Sequence, residues 1–190
     1  MAREKNYIEK YFTVDLSSIT DTRLNFKKCQ FESVNFTKNE VSESNFSKTS
    51  IKTCRISDSK FRNSTLIESD VLNSTISNVD LRDSRLTASN ISNVNVVNSD
   101  LKGIEFFDCN LSEVSFEQVV ADRIKFKSCR LNAIQFIACK IFSATFEDCE
   151  IIDTNFHTSD LFLSKFSLCK LTNVKIDENQ LKNISIKHSI

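Results

Sequence analysis

The sequence predicts an all-β solenoid, a rod made by stacking short extended segments of chain. Three observations predict it. Stepping by five from Phe26 to Ile186 meets 33 positions, and every one is apolar. A second column lies two residues earlier, from Leu24 to Ser189, and holds no charged residue. The chain also has no Pro and a single Gly, Gly103, so it turns without the usual punctuation. Neither a helix nor a strand repeats at five, and a repeat is sought before any other pattern.

The two columns define the unit. Residues two apart on an extended stretch point to the same side. Each five-residue unit therefore turns one large and one small side chain inward, as in "CRLNAIQFIACKIFSATFEDCE" (Cys129 to Glu150). The other three positions carry the charges and form the outer surface and the turn. One unit is too short to bury anything, so stacking must create the core. Backbone groups then pair with the coils above and below, ~4.8 Å away. Asn, Asp and Ser take over the turning. The 16 Phe and the many Ile and Leu exclude a disordered Ser/Asn tract.

The pattern fails only at the start. Asp21 falls on a would-be central position, although Leu16 fits one. Tyr7, Ile8, Tyr11 and Phe12 have a helix-like spacing. Residues 1–20 are read as an N-terminal cap and imperfect first coil, and residues 21–190 as the repeat array. No unit is lengthened or shortened between residues 24 and 190, so no projecting loops are expected. Ile186 and Ser189 still obey the pattern, so no C-terminal cap is expected, and an uncovered edge invites pairing.

These residues carry a family resemblance. "VDL" (Val79–Leu81), "SNI" (Ser89–Ile91), "SDL" (Ser99–Leu101 and Ser159–Leu161) and "CNL" (Cys109–Leu111) match the middle of the unit Ala-Asp/Asn-Leu/Phe-x-x. The chain thus resembles the pentapeptide repeat family over residues 24–190. It departs in having Asp or Asn before the central residue in only 11 of 33 units, and almost no Ala two before it. The resemblance implies a right-handed quadrilateral β-helix, four units per coil, with about eight coils. A twenty-residue coil passes an independent check. The side through Phe26 and the opposite side through Phe36 together hold ten Phe, and the other two sides hold Phe31 and Phe61 alone. Rings on one opposed pair of sides and aliphatics on the other make a sound packing.

Charge excludes some functions. There are 25 basic and 25 acidic side chains, spread as +3, −5 and +2 over residues 1–60, 61–120 and 121–190. No basic stripe points to direct nucleic-acid binding. No apolar run approaches membrane-spanning length, and MAREKNYIEKYF lacks the apolar core of a secretory signal, so a cytoplasmic location is expected. All seven Cys lie in the small inward column, and Cys109, Cys129, Cys149 and Cys169 fall on four successive coils of one side. Stacked parallel thiols do not converge on a tetrahedral metal, so they are read as reduced core residues. No metal, cofactor or catalytic site is expected. His157 and His188 are outward and far apart, and His157 has only Asp177, one coil on, as a partner.

Outward apolar residues are the informative ones. Phe142 and Phe162 stack on one side, with Leu163 beside the second and Leu168 round the next edge. Phe107 is a further outward ring, and Arg62, Arg82 and Lys102 occupy earlier coils of the Phe142 side. These eight residues form the candidate interface. Asp80, Asp83 and Asp100 stand near the basic column, which reads as an ion-pair lattice. A contiguous apolar patch implies a protein partner, and a C2 homodimer is one form it can take. The leading reading is a non-enzymatic scaffold or interaction protein. The resemblance adds an alternative. Some family members imitate duplex DNA in width and charge, bind type II topoisomerases, notably DNA gyrase, and give protection from quinolones or toxins.

Overall fold

The computed structural model describes residues 5–189. The chain winds as a right-handed four-sided β-solenoid of about nine turns. The first side is a 10-stranded parallel sheet in which Phe26, Phe46, Leu66, Leu86, Phe106, Phe126, Phe146, Phe166 and Ile186 lie in register. Asn90–Val97 and Asn110–Glu117 run unbroken round a corner and join the second and third sides into one 14-stranded sheet. On the fourth side the coils turn tightly and meet through single parallel bridges, from Glu40↔Lys60 to Lys140↔Asp160.

The corners explain how a chain with one glycine turns so often. In nearly every unit the second residue after the large inward one adopts the left-handed conformation. Among the described residues thirty-two non-glycine residues do so, including Asn63, Asn73, Asn78, Asp83, Asn93 and Asn98. Each pays the steric cost of a Cβ in that region, least for Asn and Asp. The inter-coil hydrogen bonds on either side offset it. Gly103 has φ +68°, no different in kind from its column.

The expected inward columns are the core. Two aromatic ladders run up it. Phe106, Phe126, Phe146 and Phe166 stack at 4.7, 5.1 and 4.5 Å between centroids, and Phe116, Phe136 and Phe156 at 4.9 and 4.8 Å. The ladders meet edge to face, as Phe146 does with Phe156 at 5.7 Å and 80°. Each such pair adds ~0.5–1.5 kcal/mol beyond the area it buries. This is the ring-bearing opposed pair of sides expected from the sequence.

The small column has its own chemistry. Some of its backbone N–H groups donate to the carbonyl three residues earlier, as Ile104 does to Leu101 O, and others find side-chain acceptors. Ser hydroxyls one coil on accept them: Leu24 N–H donates to Ser44 Oγ (3.0 Å), Ser44 to Ser64 (3.1 Å) and Ser64 to Ser84 (3.2 Å). Thiols do the same work, with Cys109 N–H on Cys129 Sγ at 3.4 Å. The thiols also donate to backbone carbonyls, as Cys129 does to Phe106 O and Cys149 to Phe126 O, both 3.4 Å. All seven Cys are buried and unpaired by disulfides. Burial pushes the Cys54 and Cys139 thiols up from their ordinary range.

The ends depart from the sequence reading. The helix-like spacing at the start forms strands, Lys5–Ile8, Tyr11–Phe12 and Leu16–Ser17. Tyr7 stacks on Phe26 at 4.9 Å and Phe12 on Phe31 at 4.6 Å. Their pairing offset is 19 residues, whereas Leu16 pairs Phe36 at the regular 20. The first coil is therefore one residue short between Phe12 and Leu16, which moves its inward frame. At the other end, Leu181 is not an inward residue. Asp177 caps a single helical turn, Glu178–Leu181, and leaves Leu181 exposed. Gln180 Nε2 in that turn donates to the Ser159 carbonyl of the coil below. The turn thus covers part of an edge expected to be bare.

Two outcomes are expected from this core. Phe146→Ala should cost about 3–5 kcal/mol in chemical denaturation, since the ring has stacked neighbours on both faces and the gap cannot close. The seven thiols should resist Ellman's reagent in the native protein and all react in denaturant; fast native labelling of even two would contradict their burial.

Candidate interaction surface

The fourth side and the corner leading to the first side carry most of the residues singled out by the sequence. Phe142 and Phe162 occupy the same position in successive coils, and their rings lie 5.6 Å apart at 27°. They are 39% and 41% exposed although they flank a fully buried column of Ile141 and Leu161. The position is set by the backbone. Asp160 Oδ1 accepts the Phe162 N–H at 3.0 Å, and Ser143 N–H donates to Phe162 O at 2.9 Å.

Leu163 and Leu168 sit on corners, with φ of 60° and 56°. Elsewhere that left-handed column holds polar, charged or small residues. Among the described residues these two alone put a large apolar side chain there, and they are 50% and 59% exposed. With half or more of each side chain in solvent, burial in the core does not account for leucine in a sterically poor conformation. Phe107 is also exposed but stands apart. It pairs with Thr87 and Lys127 on the first side, about three coil rises or ~14 Å from the Leu168 corner. The sequence grouped it with the patch; the register separates it.

Arg62 and Arg82 of the basic column form the expected lattice with Asp80 and Asp100, which Lys102 joins only through its backbone. Asp80 takes Arg62 Nε at 2.6 Å and Arg82 through Nε at 3.0 Å and Nη2 at 2.8 Å. Arg82 reaches Asp100 at 3.6 Å, and Asp100 Oδ1 accepts the Lys102 backbone N–H at 3.1 Å. Asp83 instead lies towards Gly103, where a Cβ would come within 2.5 Å of its Oδ1. Burial works against the Asp80 charge, but hydrogen bonds from Arg82 and Arg62 outweigh it and hold the carboxyl below the usual carboxylate range. The same interleaving recurs elsewhere. Glu105 lies between Arg85 and Lys125, and Glu150 between Arg130 and Lys170. Acids and bases are therefore interleaved locally, although Arg62, Arg82 and Lys102 follow one another in one column and Asp80 stacks on Asp100 in the next.

Among the described residues no cluster of three or more His, Cys, Asp and Glu could hold a metal ion. His157 Nδ1 lies 3.9 Å from Asp177 Oδ2 on the exposed surface, the pairing expected from the twenty-residue coil. No helix among the described residues is long and apolar enough to cross a membrane.

The family model for a pentapeptide repeat region matches residues 59–136 and 99–186. The chain belongs to the pentapeptide repeat family. Among curated proteins there is no significant match. Solved structures share the fold. A trypsin-treated form of QnrB1, a plasmid-mediated fluoroquinolone resistance protein, is 15% identical with a TM-score of 0.68, covering 97% of this chain and 88% of its own. HetL, a pentapeptide repeat protein involved in heterocyst differentiation regulation in Nostoc sp. strain PCC 7120, is 12% identical with a TM-score of 0.66, covering 98% and 89%. At this identity the likeness is one of fold.

Asp80→Asn should lower stability by about 1 kcal/mol near pH 7, the solvent-facing arginines keeping it at the low end. Because the folded carboxyl titrates below its unfolded value, its contribution is present above about pH 4 and fades as pH falls through the folded value. Urea titrations of both proteins should differ by a constant amount above about pH 5 and converge in stronger acid.

Proposed function

We propose that this chain is a non-catalytic protein-binding rod acting in the cytoplasm. It docks its partner on the fourth side through Phe142, Phe162, Leu163 and Leu168, with Lys102, Arg82 and Arg62 as a polar extension two, three and four coils further along the same side. One observation carries the reading: a stacked, exposed ring pair beside two leucines on left-handed corners. Apolar side chains at such positions contribute to binding once a partner removes them from water. A cytoplasmic setting agrees with seven thiols that form no disulfide. A second copy of the chain could occupy the same patch as a C2 dimer.

A second reading names the partner as DNA gyrase. It is supported by the length-wide fold likeness to QnrB1, described as a fluoroquinolone resistance protein. The pairing of acids with neighbouring bases argues against recognition through a phosphate-like acidic field. On this reading the contact relies on the rod's shape and its apolar side. Direct nucleic-acid binding is disfavoured because the arginines of the fourth side are engaged by carboxylates.

The test is supercoiling by DNA gyrase with this protein titrated in, with and without a fluoroquinolone. Relief of drug inhibition by the native protein, lost in Phe142→Ser/Phe162→Ser, is the expected result for the gyrase reading. No effect removes gyrase and leaves the docking surface to be judged by sedimentation and affinity capture with the same variant. A patch variant that matches the native protein in every one of these measurements removes the surface itself.

A further inference from the structure

The core is not filled evenly. From Leu66 to Leu101 eight successive large inward positions carry no ring. The small column beside them is mostly serine: Ser64, Ser69, Ser74, Ser84, Ser89 and Ser99. Rings return at Phe106, and the small column then turns to Ile, Val and Cys. Where both columns shrink together, the four walls do not meet. A cavity of about 120 Å³ lies there, lined by Leu66, Ile76, Leu86 and Val96, with Phe46 and Phe106 also in its wall on the first side. Leu66, Ile76, Leu81 and Leu86 are inward yet only partly buried, because they face this space.

Its shape and chemistry limit what can enter. Its lining runs from Phe36 to Phe116, four coil rises or ~19 Å, between the four walls of the coil, so the space forms a bore elongated along the rod axis. The accessible wall is apolar. The serines beside it are already engaged: Ser64 Oγ accepts from Ser44 N–H, and Ser84 Oγ accepts from Ser64 N–H while donating to Phe61 O at 2.7 Å. Water needs two to four polar partners and finds none free, and apolar cavities of this size stay dry and take small apolar guests. A surface depression beside Gly103 shares Ser64, Thr65, Ser84 and Arg85 with the cavity lining. At that corner the inner space and the outer depression share a wall, so it is where the cavity comes nearest the surface.

We propose that this bore is a binding site for a slender neutral hydrocarbon, an unbranched alkyl chain entering at the Thr65–Arg85 corner. The site is independent of the patch on the fourth side. A guest there restores the contacts that the missing rings would have made.

The experiment is methyl NMR of the full chain titrated with n-hexane and, separately, with cyclohexane. Hexane should shift the methyls of Leu66, Ile76, Leu86 and Val96 saturably and leave Ile134, Ile141 and Leu131 in the filled half unmoved. Cyclohexane, too broad for the bore, should have no such effect. Leu86→Phe, which extends the ring ladder into the space, should remain folded and lose the hexane response. Unmoved mid-rod methyls, equal shifts in both halves, equal binding of cyclohexane, or a full response in folded Leu86→Phe would each overturn the proposal. If Leu86→Phe does not fold, the comparison of the two halves within the native protein decides alone.

Discussion

The structure depends on one constraint: each coil must pair its backbone with the coils on either side, in register, at strand spacing. That pairing offsets the strain of some thirty left-handed corners. It also fixes the chemistry of every column. A side chain at position i lies on the one twenty residues away, so each residue is selected by two near-identical neighbours. Rings stack on rings, as Phe126 on Phe146. Hydroxyls and thiols accept backbone N–H groups from the coil below, as Ser64 Oγ does from Ser44 and Cys129 Sγ from Cys109.

The same constraint governs the surface. Like charges at strand spacing repel: Glu105 falls between Arg85 and Lys125 in one column, and where Arg62 and Arg82 do stack, Asp80 of the adjacent column bridges them. Such a lattice leaves a rod without a strong field, and recognition must come from places where the column rule is broken. Phe142, Phe162, Leu163 and Leu168 break it outside, by placing apolar groups in polar columns. The ringless run from Leu66 to Leu101 breaks it inside, by leaving a bore where the ladders should continue. The first points to a macromolecular partner and the second to a small apolar one.

Much of this was legible in the sequence. The inward columns, the two ring-bearing sides, the stacking of Phe142 on Phe162 and the pairing of Arg62 and Arg82 with Asp80 all follow from counting in fives and twenties. The ringless run was equally visible as a string of letters. What was not visible is that its walls fail to close, because volume deficits on four sides add up only in three dimensions. Phe107 shows a similar gap. Its exposure could be read from its column, but its distance from Leu168 follows from coil register.

The sequence alone determined the period, the inside and outside of each unit, and the neighbours along each column, because these are set by local geometry repeated without interruption. The tertiary structure decided what lies beyond that repetition. Tyr7 rather than Asn6 turns inward because its ring finds Phe26. Residues 178–181 leave the sheet because a capped helical turn meets the Ser159 carbonyl as a strand would. At both ends the local choices are close in energy, and contact with the adjacent coil tips them.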